Sequence, residues 1–239
     1  MKNILMDIFF PQNACVLCRK PGNYGTRNPW CESCYQAMME LQHSLPICDK
    51  CGKYLEEGGD LCADCRQKFP EFNIARAVGP YTGPYRKAVK VFKFLGRRKL
   101  AFRMGCMMAR VVKDEPRFWP IDLIVPVPAS MGQLKQRGFN QTDLLAKEIS
   151  KKLKIAVDTD VLYRVKETPA QRELTREERE KNLLCAFRVK DSKKVAGKYI
   201  LLVDDVFTTG STVRECTRTL MRAGAVSVSA ITWATGIGF

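Results

Sequence analysis

The segment from Tyr199 to Thr212 constrains the fold more than any other part of the chain. It begins with strand-forming residues, Tyr199 to Val203, continues with the adjacent acids Asp204 and Asp205, and passes through a small polar loop into a predicted helix. A short apolar run bounded by polar residues is typical of a strand that is covered on both faces. The order strand, loop, helix therefore predicts an α/β fold with a mostly parallel sheet flanked by helices.

The residues after this strand predict a site for a phosphorylated sugar. Two adjacent carboxylates repel each other unless a ligand such as a sugar diol or a magnesium ion uses them. The loop that follows can present several backbone N–H groups, and the next helix adds the positive end of its dipole, so the loop favours a phosphate. The loop residues are Thr208, Thr209, Gly210, Ser211 and Thr212. The pattern predicts a phosphoribosyl site, and an acidic turn without a ligand is the alternative.

Cysteines dominate the first third of the chain. Eight of the 11 cysteines form four Cys-x-x-Cys pairs, a spacing at which two thiolates on a tight turn can hold a zinc ion. The pairs are Cys15 and Cys18, Cys31 and Cys34, Cys48 and Cys51, and Cys62 and Cys65. Eight thiolates predict one or two structural zinc ions, and the turns could combine sequentially or in a crossed arrangement.

The Cys-x-x-Cys spacing also indicates the cellular compartment of the protein. Cysteine pairs of metal-binding type favour a reducing environment, so we expect a cytoplasmic protein. No apolar run reaches the ~18 residues of a transmembrane helix. The apolar start, Met1 to Phe10, is short and lacks a small-residue cleavage site, so we expect no signal peptide there.

The net charge of +15 is unevenly distributed. Residues 1–75 hold 8 basic and 9 acidic side chains, whereas residues 76–118 hold 12 basic and 2 acidic ones. A four-thiolate zinc site carries a charge of about −2, so the cysteine module is a poor match for a phosphate backbone. We therefore expect this module to bind protein partners or to cover the rest of the chain as a lid.

A basic stripe is predicted on the helix from Pro84 to Leu95. Cationic residues recur every three or four positions, which places them on one helical face. They are Arg86, Lys90, Lys93 and Arg97. The plain interpretation is a solvated helix face. The alternative is a DNA-binding surface that follows a phosphate backbone, with Tyr81 and Tyr85 stacking on bases.

Further strands and helices alternate along the rest of the chain. The sequence predicts strands at Ile121 to Val127, Val161 to Val165 and Val226 to Thr232. Arg137 to Gln141 leads into a predicted helix that ends near Leu153. This alternation again predicts a mostly parallel sheet.

The acid-pair segment, Tyr199 to Thr212, closely resembles the motif with which type I phosphoribosyltransferases bind phosphoribosyl pyrophosphate (PRPP). The order of motifs over nearly the whole chain is similar to that of the ComF (ComFC) family of competence proteins. After the cysteine pairs the motifs are Phe92-Lys93-Phe94-Leu95-Gly96, Val125-Pro126-Val127-Pro128, Arg137-Gly138-Phe139-Asn140-Gln141, Thr168-Pro169-Ala170-Gln171 with Arg179 and Asn182, and the acid pair. The resemblance implies a double zinc-ribbon domain at 1–70 and a phosphoribosyltransferase-like domain at 71–239.

The resemblance also implies roles for individual residues. Asp204 and Asp205 would hold the ribose hydroxyls, directly or through Mg²⁺, and Thr208 to Thr212 would hold the 5-phosphate. The pyrophosphate would lie at Pro128, Ala129 and Ser130, with Arg137 as a further catalytic contact and Thr168 to Arg179 as a closing loop. Purine-salvage members have an Asp at the position of Thr208, so the resemblance does not extend to hypoxanthine or guanine salvage.

Members of the family are associated with single-stranded DNA in natural transformation. The resemblance therefore implies a PRPP-binding protein that handles single-stranded DNA in the cytoplasm, with partners from the DNA-uptake machinery. Two alternatives stay open: an active Mg²⁺-dependent phosphoribosyltransferase with an unknown acceptor and no DNA role, and a regulator that senses PRPP.

Overall fold

A four-stranded parallel sheet forms the centre of the protein in a computed structural model, which describes residues 14–165 and 185–238. The strand order is β2–β7–β6–β3. The strands are β2 (Ala75–Pro80), β3 (Leu123–Pro126), β6 (Tyr199–Phe207) and β7 (Ser227–Thr235). Parallel neighbours require crossover connections, and helices provide them. The predicted α/β fold is therefore confirmed.

Seven α-helices are described. They are α1 (Glu32–Gln42), α2 (Ala63–Gln67), α3 (Gly83–Phe94), α4 (Leu100–Asp114), α5 (Met131–Arg137), α6 (Gln141–Leu153) and α7 (Ser211–Arg222). Short 3₁₀ turns lie at Pro116–Phe118 and Ser192–Lys194. In the described ranges, every helix is too short or too polar to cross a lipid bilayer.

Apolar side chains fill both faces of the sheet. Alternate residues of a strand point to opposite faces, so Leu201 and Val203 of β6 join one apolar cluster while Ile200 and Leu202 join the other. Buried residues of α3, α4 and α6 cover the first face, and those of α7 cover the second. The sheet is thus flanked by helices on both sides, and its strand ends are left to carry polar groups.

The strand β6 extends past its predicted end at Val203. The neighbouring strand β7 pairs with β6 as far as Phe207, whereas β3 pairs with it only as far as Val203. The prediction that the acids follow the strand is therefore wrong: Asp204 and Asp205 lie within β6, beyond the end of β3. This step in the sheet leaves one side of the acid pair without a neighbouring strand.

The predicted strand at Val161 to Val165 does not join the parallel sheet. Its ordered part, β4 (Leu162–Arg164), pairs antiparallel with β5 (Phe187–Val189) in a separate two-stranded sheet. The predicted mostly parallel sheet is present, and this segment lies outside it, in a small antiparallel pair.

The cysteine module packs against the sheet. Strand β1 (Tyr54–Leu55) pairs in parallel with β8 (Ile237–Gly238), at the far end of the described chain. Trp30 of the module lies 6.2 Å from Trp233 of β7 between ring centroids. The division between residues 1–70 and 71–239 stays a prediction, since residues from both sides share one apolar cluster.

Candidate functional site

The acid pair on β6 is reached by side chains from two helices. Lys93 of α3 donates from Nζ to Asp205 Oδ1 at 2.6 Å, and Gln141 of α6 donates from Nε2 to Asp205 Oδ2 at 2.7 Å. Asp205 is only 4% exposed. A buried carboxylate is costly unless it is paired and hydrogen-bonded, and both conditions are met here. The fold therefore holds Asp205 in one orientation.

A hydrogen-bonded chain continues from Asp205 to the predicted pyrophosphate contact. Gln141 accepts at Oε1 from Arg137 Nη1 at 3.0 Å. The Arg137 guanidinium also lies 5.4 Å from the centroid of the Phe94 ring, within the range of a cation–π contact. Arg137, Gln141 and Asp205 thus form one network, which joins the segment around α6 to a strand that is distant in sequence.

The second acid, Asp204, has a different environment. It is half-buried, and its Oδ1 accepts a hydrogen bond from the Asp205 backbone N–H at 2.8 Å. Burial and the neighbouring charge of Asp205 raise the pKa of Asp204 to about 7, against a smaller lowering effect of Lys93. A carboxyl group with this pKa changes charge near neutral pH, so any ligand that needs the carboxylate competes with a proton.

The hydroxyl loop has a backbone that only glycine accommodates at one position. Gly210 has φ of 76°, and a Cβ placed there would lie 2.5 Å from the Phe207 ring. The loop turns directly into α7 at Ser211. The N-cap residue Gly210 has no side chain to cap the helix, and Thr209 Oγ1 accepts from the Ser211 N–H at 3.4 Å and contacts the Ser211 hydroxyl at 2.8 Å. The N–H groups after Ser211 have no side-chain cap among the described residues. The first N–H groups of α7 are therefore suited to an anion.

The predicted pyrophosphate loop is anchored beside the acid pair. Val127 donates its N–H to the Val203 carbonyl at 2.9 Å, and its own carbonyl accepts from Thr142 Oγ1 at 2.6 Å. Ser130 caps α5 by accepting from the Gln133 N–H at 3.2 Å. The Ser130 N–H donates in turn to Gln133 Oε1 at 3.3 Å, and Pro128 has no N–H. Of Pro128, Ala129 and Ser130, the donors left for a ligand are therefore the Ala129 N–H and the Ser130 hydroxyl proton.

The four residues of the predicted basic stripe lie in three places. Arg86 and Lys90 are exposed and line a groove of about 510 Å³ beside Cys18, together with Lys87. Lys93 points to Asp205, and Arg97 lies beyond the end of α3, in another cavity. The expectation of one continuous stripe is therefore corrected. Contact with DNA stays a prediction for these residues.

The proposed stacking pair is corrected as well. Tyr85 is fully buried, and its hydroxyl donates to the Met38 carbonyl at 2.9 Å, so it cannot stack on a base. Tyr81 is half-buried, with the Arg86 guanidinium 5.9 Å from its ring centroid.

The cysteines form two four-thiolate groups in sequential order. Cys15, Cys18, Cys31 and Cys34 make the first group, and Cys48, Cys51, Cys62 and Cys65 make the second. All sulfur atoms within a group lie within 4.8 Å of one another. Tetrahedral zinc with bonds of about 2.3 Å requires sulfurs about 3.8 Å apart. The Cys18–Cys31 and Cys51–Cys62 sulfur distances of 3.5 and 3.6 Å fit that requirement.

The two zinc-type sites differ in exposure. All four ligands of the second site are buried, whereas in the first site Cys18 is exposed and Cys34 is half-buried. The first site is further shaped by the Cys31 N–H, which donates to Cys15 Sγ at 3.2 Å. Four thiolates leave no position for a catalytic water, so both sites are structural in type.

The sequence assigns no site role to Gln141. It groups Lys93 with the DNA contacts, with an orientation toward the PRPP site as the alternative. Both residues lie inside the motifs that carry the family resemblance, and that position was the available signal. The predicted closing loop, Thr168 to Arg179, lies outside the described residues, as does the apolar start of the chain.

Two segments of the chain match known domain families. Residues 5–72 match the double zinc ribbon domain, and residues 143–237 match the phosphoribosyl transferase domain. Competence protein F of Haemophilus influenzae is 31% identical over 219 residues, which cover 90% of this chain and 93% of that protein. The DNA utilization protein YhgH of Salmonella typhimurium is 33% identical over 220 residues, with the same coverage of 90% and 93%.

More distant similarities extend this set. Competence protein ComFC of Bacillus subtilis is 27% identical over 214 residues, which cover 84% of this chain and 82% of that protein. The glutamine PRPP amidotransferase of B. subtilis aligns with 59% of this chain and 30% of its own, at a TM-score of 0.40 and 15% identity. That structural similarity is too low to transfer a ligand or an activity.

Proposed function

Because the chain belongs to the ComF family of competence proteins, we propose that it binds PRPP at the acid pair of β6. We further propose that it handles single-stranded DNA in the cytoplasm. The observation that carries the PRPP proposal is the convergence of Lys93, Gln141 and, through Gln141, Arg137 on Asp205. A network of this kind around a buried carboxylate is more elaborate than a plain acidic turn requires.

Each part of PRPP has a counterpart along the strand ends. The ribose diol would bind the carboxylates of Asp204 and Asp205, which accept hydrogen bonds. The 5-phosphate would lie at the loop from Thr208 to Thr212, against the N–H groups that begin α7. The pyrophosphate would lie between the backbone of the Pro128–Ser130 loop and Arg137, whose planar guanidinium suits phosphate oxygens.

Magnesium would accompany PRPP at this site. The carboxylates of Asp204 and Asp205 are the protein groups that could bind Mg²⁺. Mg²⁺ prefers oxygen ligands and retains several waters. Asp205 already accepts from Lys93 and Gln141, so Asp204 is the acid better placed to hold the ion, together with oxygens of the ligand. The bound ion would neutralise charge on the departing pyrophosphate.

Lys93 has a defined part in this arrangement. Its ammonium group neutralises Asp205 and lowers the pKa of Asp204, so it keeps the pair in a form that accepts hydroxyl groups. Gln141 orients the other oxygen of Asp205 and at the same time orients Arg137. Both residues thus position the groups that would contact the ligand.

Calorimetric titration with PRPP and Mg²⁺ tests the binding proposal. A second assay separates an active enzyme from a protein that only binds or senses PRPP. The protein is mixed with PRPP, Mg²⁺ and a panel of nucleobases, and the released pyrophosphate is measured. Release that depends on one base indicates a phosphoribosyltransferase. Binding without release favours a binding or sensing role, and absence of binding contradicts the proposal.

The DNA proposal is supported by the groove between α3 and the first cysteine site. Three exposed cations, Arg86, Lys87 and Lys90, line it, and its described lining holds no carboxylate. Cys18 and Cys34 of the first zinc-type site also line it, so the three cations must outweigh the negative charge of that site. Such a groove can follow a phosphate backbone without reading its sequence. Electrophoretic or fluorescence titration with single-stranded and double-stranded oligonucleotides tests this, and equal affinity for both would contradict the preference for single strands.

Protein partners from the DNA-uptake machinery would approach the cysteine module, as expected from its charge. The first cysteine site is the more exposed of the two and is the natural contact region. Pull-down with the zinc-loaded protein and with a variant that carries Cys18→Ser compares that surface directly.

A further inference from the structure

A second cavity, of about 410 Å³, lies between the first cysteine site and the turn that joins α3 to α4. It is separate from the acid pair on β6. Four cationic side chains line it: Arg19, Arg97, Arg98 and Lys99. The described lining holds no carboxylate, and it includes one ligand of the first zinc-type site, Cys15. This concentration of positive charge in a concave site favours a ligand with more than one negative charge.

Apart from Cys15 and Thr26, the rest of the cavity wall is apolar or glycine. Val16, Pro29, Val91 and Leu100 contribute aliphatic surface, and Tyr24 adds an aromatic ring. Ligand pockets of roughly 300–1,000 Å³ with an apolar lining and a few placed polar groups are typical of small-molecule sites. We propose that this cavity binds a nucleoside phosphate, with the base against the apolar wall and the phosphate at the cations.

Contacts with neighbouring residues hold Arg98 in place on the cationic side of the cavity. Arg98 donates from Nη2 to the Gly138 carbonyl at 3.1 Å, and its guanidinium lies 4.7 Å from the centroid of the Phe139 ring. Lys99 precedes α4, so the positive end of a 15-residue helix reinforces its charge. A dianionic phosphate matches this arrangement better than a single carboxylate does.

The cavity is also linked to the acid-pair site. Val91 in its wall lies on α3 two residues before Lys93, which holds Asp205. Gly138, which Arg98 contacts, directly follows Arg137. A nucleotide in the cavity would therefore contact α3 directly and the Arg137 segment through Arg98.

Two sources could supply this ligand: a free mononucleotide or the terminal nucleotide of a DNA single strand. The probe is 5-bromo-2′-deoxyuridine 5′-monophosphate, titrated into the zinc-loaded full chain and soaked into its crystals. We expect a bromine anomalous peak in the cavity. In solution, Lys99→Glu should weaken binding at least tenfold, whereas Lys113→Glu, an exposed change in the last turn of α4, should leave binding unchanged.

A second variant fills the cavity and leaves its charges intact. Gly25 lines the cavity, and a Cβ built there meets no atom within 4 Å, so Gly25→Trp should fold and block the base. Inorganic phosphate should bind this variant as it binds the wild type. Weaker binding of the probe to Gly25→Trp, with unchanged phosphate binding, supports the role of the apolar wall.

Further results would overturn the proposal. A bromine peak at the β6 acid pair, or loss of probe binding in the Asp204→Asn, Asp205→Asn variant, would place the nucleotide at the PRPP site instead. Equal competition by inorganic phosphate would show that the base contributes nothing. A 5′-phosphorylated oligonucleotide that displaces the probe, where its 5′-hydroxyl form does not, identifies the strand terminus as the source; displacement by neither identifies the free nucleotide.

Discussion

Lys93 of α3 and Asp205 of β6 form an ion pair in which Nζ and Oδ1 are 2.6 Å apart. The pair is mostly shielded from water, since the two side chains are 17% and 6% exposed. A buried pair contributes little net stability, but removal of one partner leaves an uncompensated charge. The ion pair therefore compensates the charge of Asp205 before any ligand arrives.

Removal of the Lys93 charge should shift the pH dependence of PRPP binding. Lys93 lowers the pKa of Asp204, which is about 7 in the intact protein, so Lys93→Met should raise that pKa and weaken binding near neutral pH. Calorimetric titrations across a pH series would show the midpoint moving upward. Lys90→Met, an exposed change on the same helix, is the matched control. An unchanged midpoint in Lys93→Met would refute this role.

Neutralising both acids should weaken PRPP binding. Asp204→Asn with Asp205→Asn removes the carboxylates that would accept the ribose hydroxyls, and we expect at least a tenfold loss of affinity, about 1.4 kcal/mol. Circular dichroism should show an intact fold. Asp114→Asn, an exposed carboxylate on α4, controls for the loss of charge. Equal PRPP affinity in the double variant and the wild type would reject the assignment.

Asp204 should also make stability depend on pH. Its pKa in the folded protein is about 7, above the ordinary 3.8, so the folded state holds a proton that the unfolded state has released. The resulting stabilisation is full below the ordinary pKa and is lost as pH rises through about 7. Asp143, with a pKa raised by burial to about 6, adds to the same slope.

The difference between wild type and Asp204→Asn isolates the effect of Asp204. Urea unfolding between about pH 5.5 and pH 8, where the thiolates keep their metal, should show a smaller decline in stability with rising pH for the variant. Parallel curves for the two proteins would show that Asp204 titrates normally.

The two metal sites should lose zinc at different rates. Cys18 is exposed and Cys34 half-buried, whereas the ligands of the second site are all buried, so a chelator should remove the first ion sooner. Cys51→Ser should lower the melting temperature more than Cys18→Ser, because its site supports β1 and, through β1, β8. Metal analysis and thermal unfolding check both points, and simultaneous release of both ions would contradict the difference in exposure.

Charge reversal in the groove should weaken DNA binding. Replacing Arg86, Lys87 and Lys90 by Glu removes three phosphate contacts, and the slope of log affinity against log salt should flatten by about 2. The matched control reverses three exposed lysines that do not line the groove: Lys113, Lys190 and Lys193. If both triple variants bind single-stranded DNA equally well, the groove is a solvated face.

The pattern of apolar residues predicted most of the sheet and the main helices. Strands β3, β6 and β7 and helices α3, α6 and α7 lie close to their predicted positions. Strand β2 was not predicted, because Ala75 to Pro80 has few strand-forming residues. Its small side chains serve packing instead: a Cβ on Gly79 would lie 2.2 Å from the Tyr85 ring.

The positions of the site residues could not be predicted from the spacing of residues along helices and strands. Helical spacing groups Lys93 with Arg86 and Lys90, but it cannot tell which cation of a broad helix face turns toward a buried carboxylate on another element. The end of β6 depended on the partner strand β7, which supplies hydrogen bonds beyond Val203. Both facts arise from contacts between segments that are far apart in sequence.

The pairing of β1 with β8 has a consequence for how the molecule assembles. The ligands of the second zinc-type site lie close together in sequence, from Cys48 to Cys65, so the entropy cost of closing that loop is small. The contact between Tyr54 and Ile237 spans most of the chain and must form across a far longer loop. We therefore expect the second zinc-type site to form early during folding, as a local nucleus. Strand β8 would then pair with β1 after the central sheet has formed.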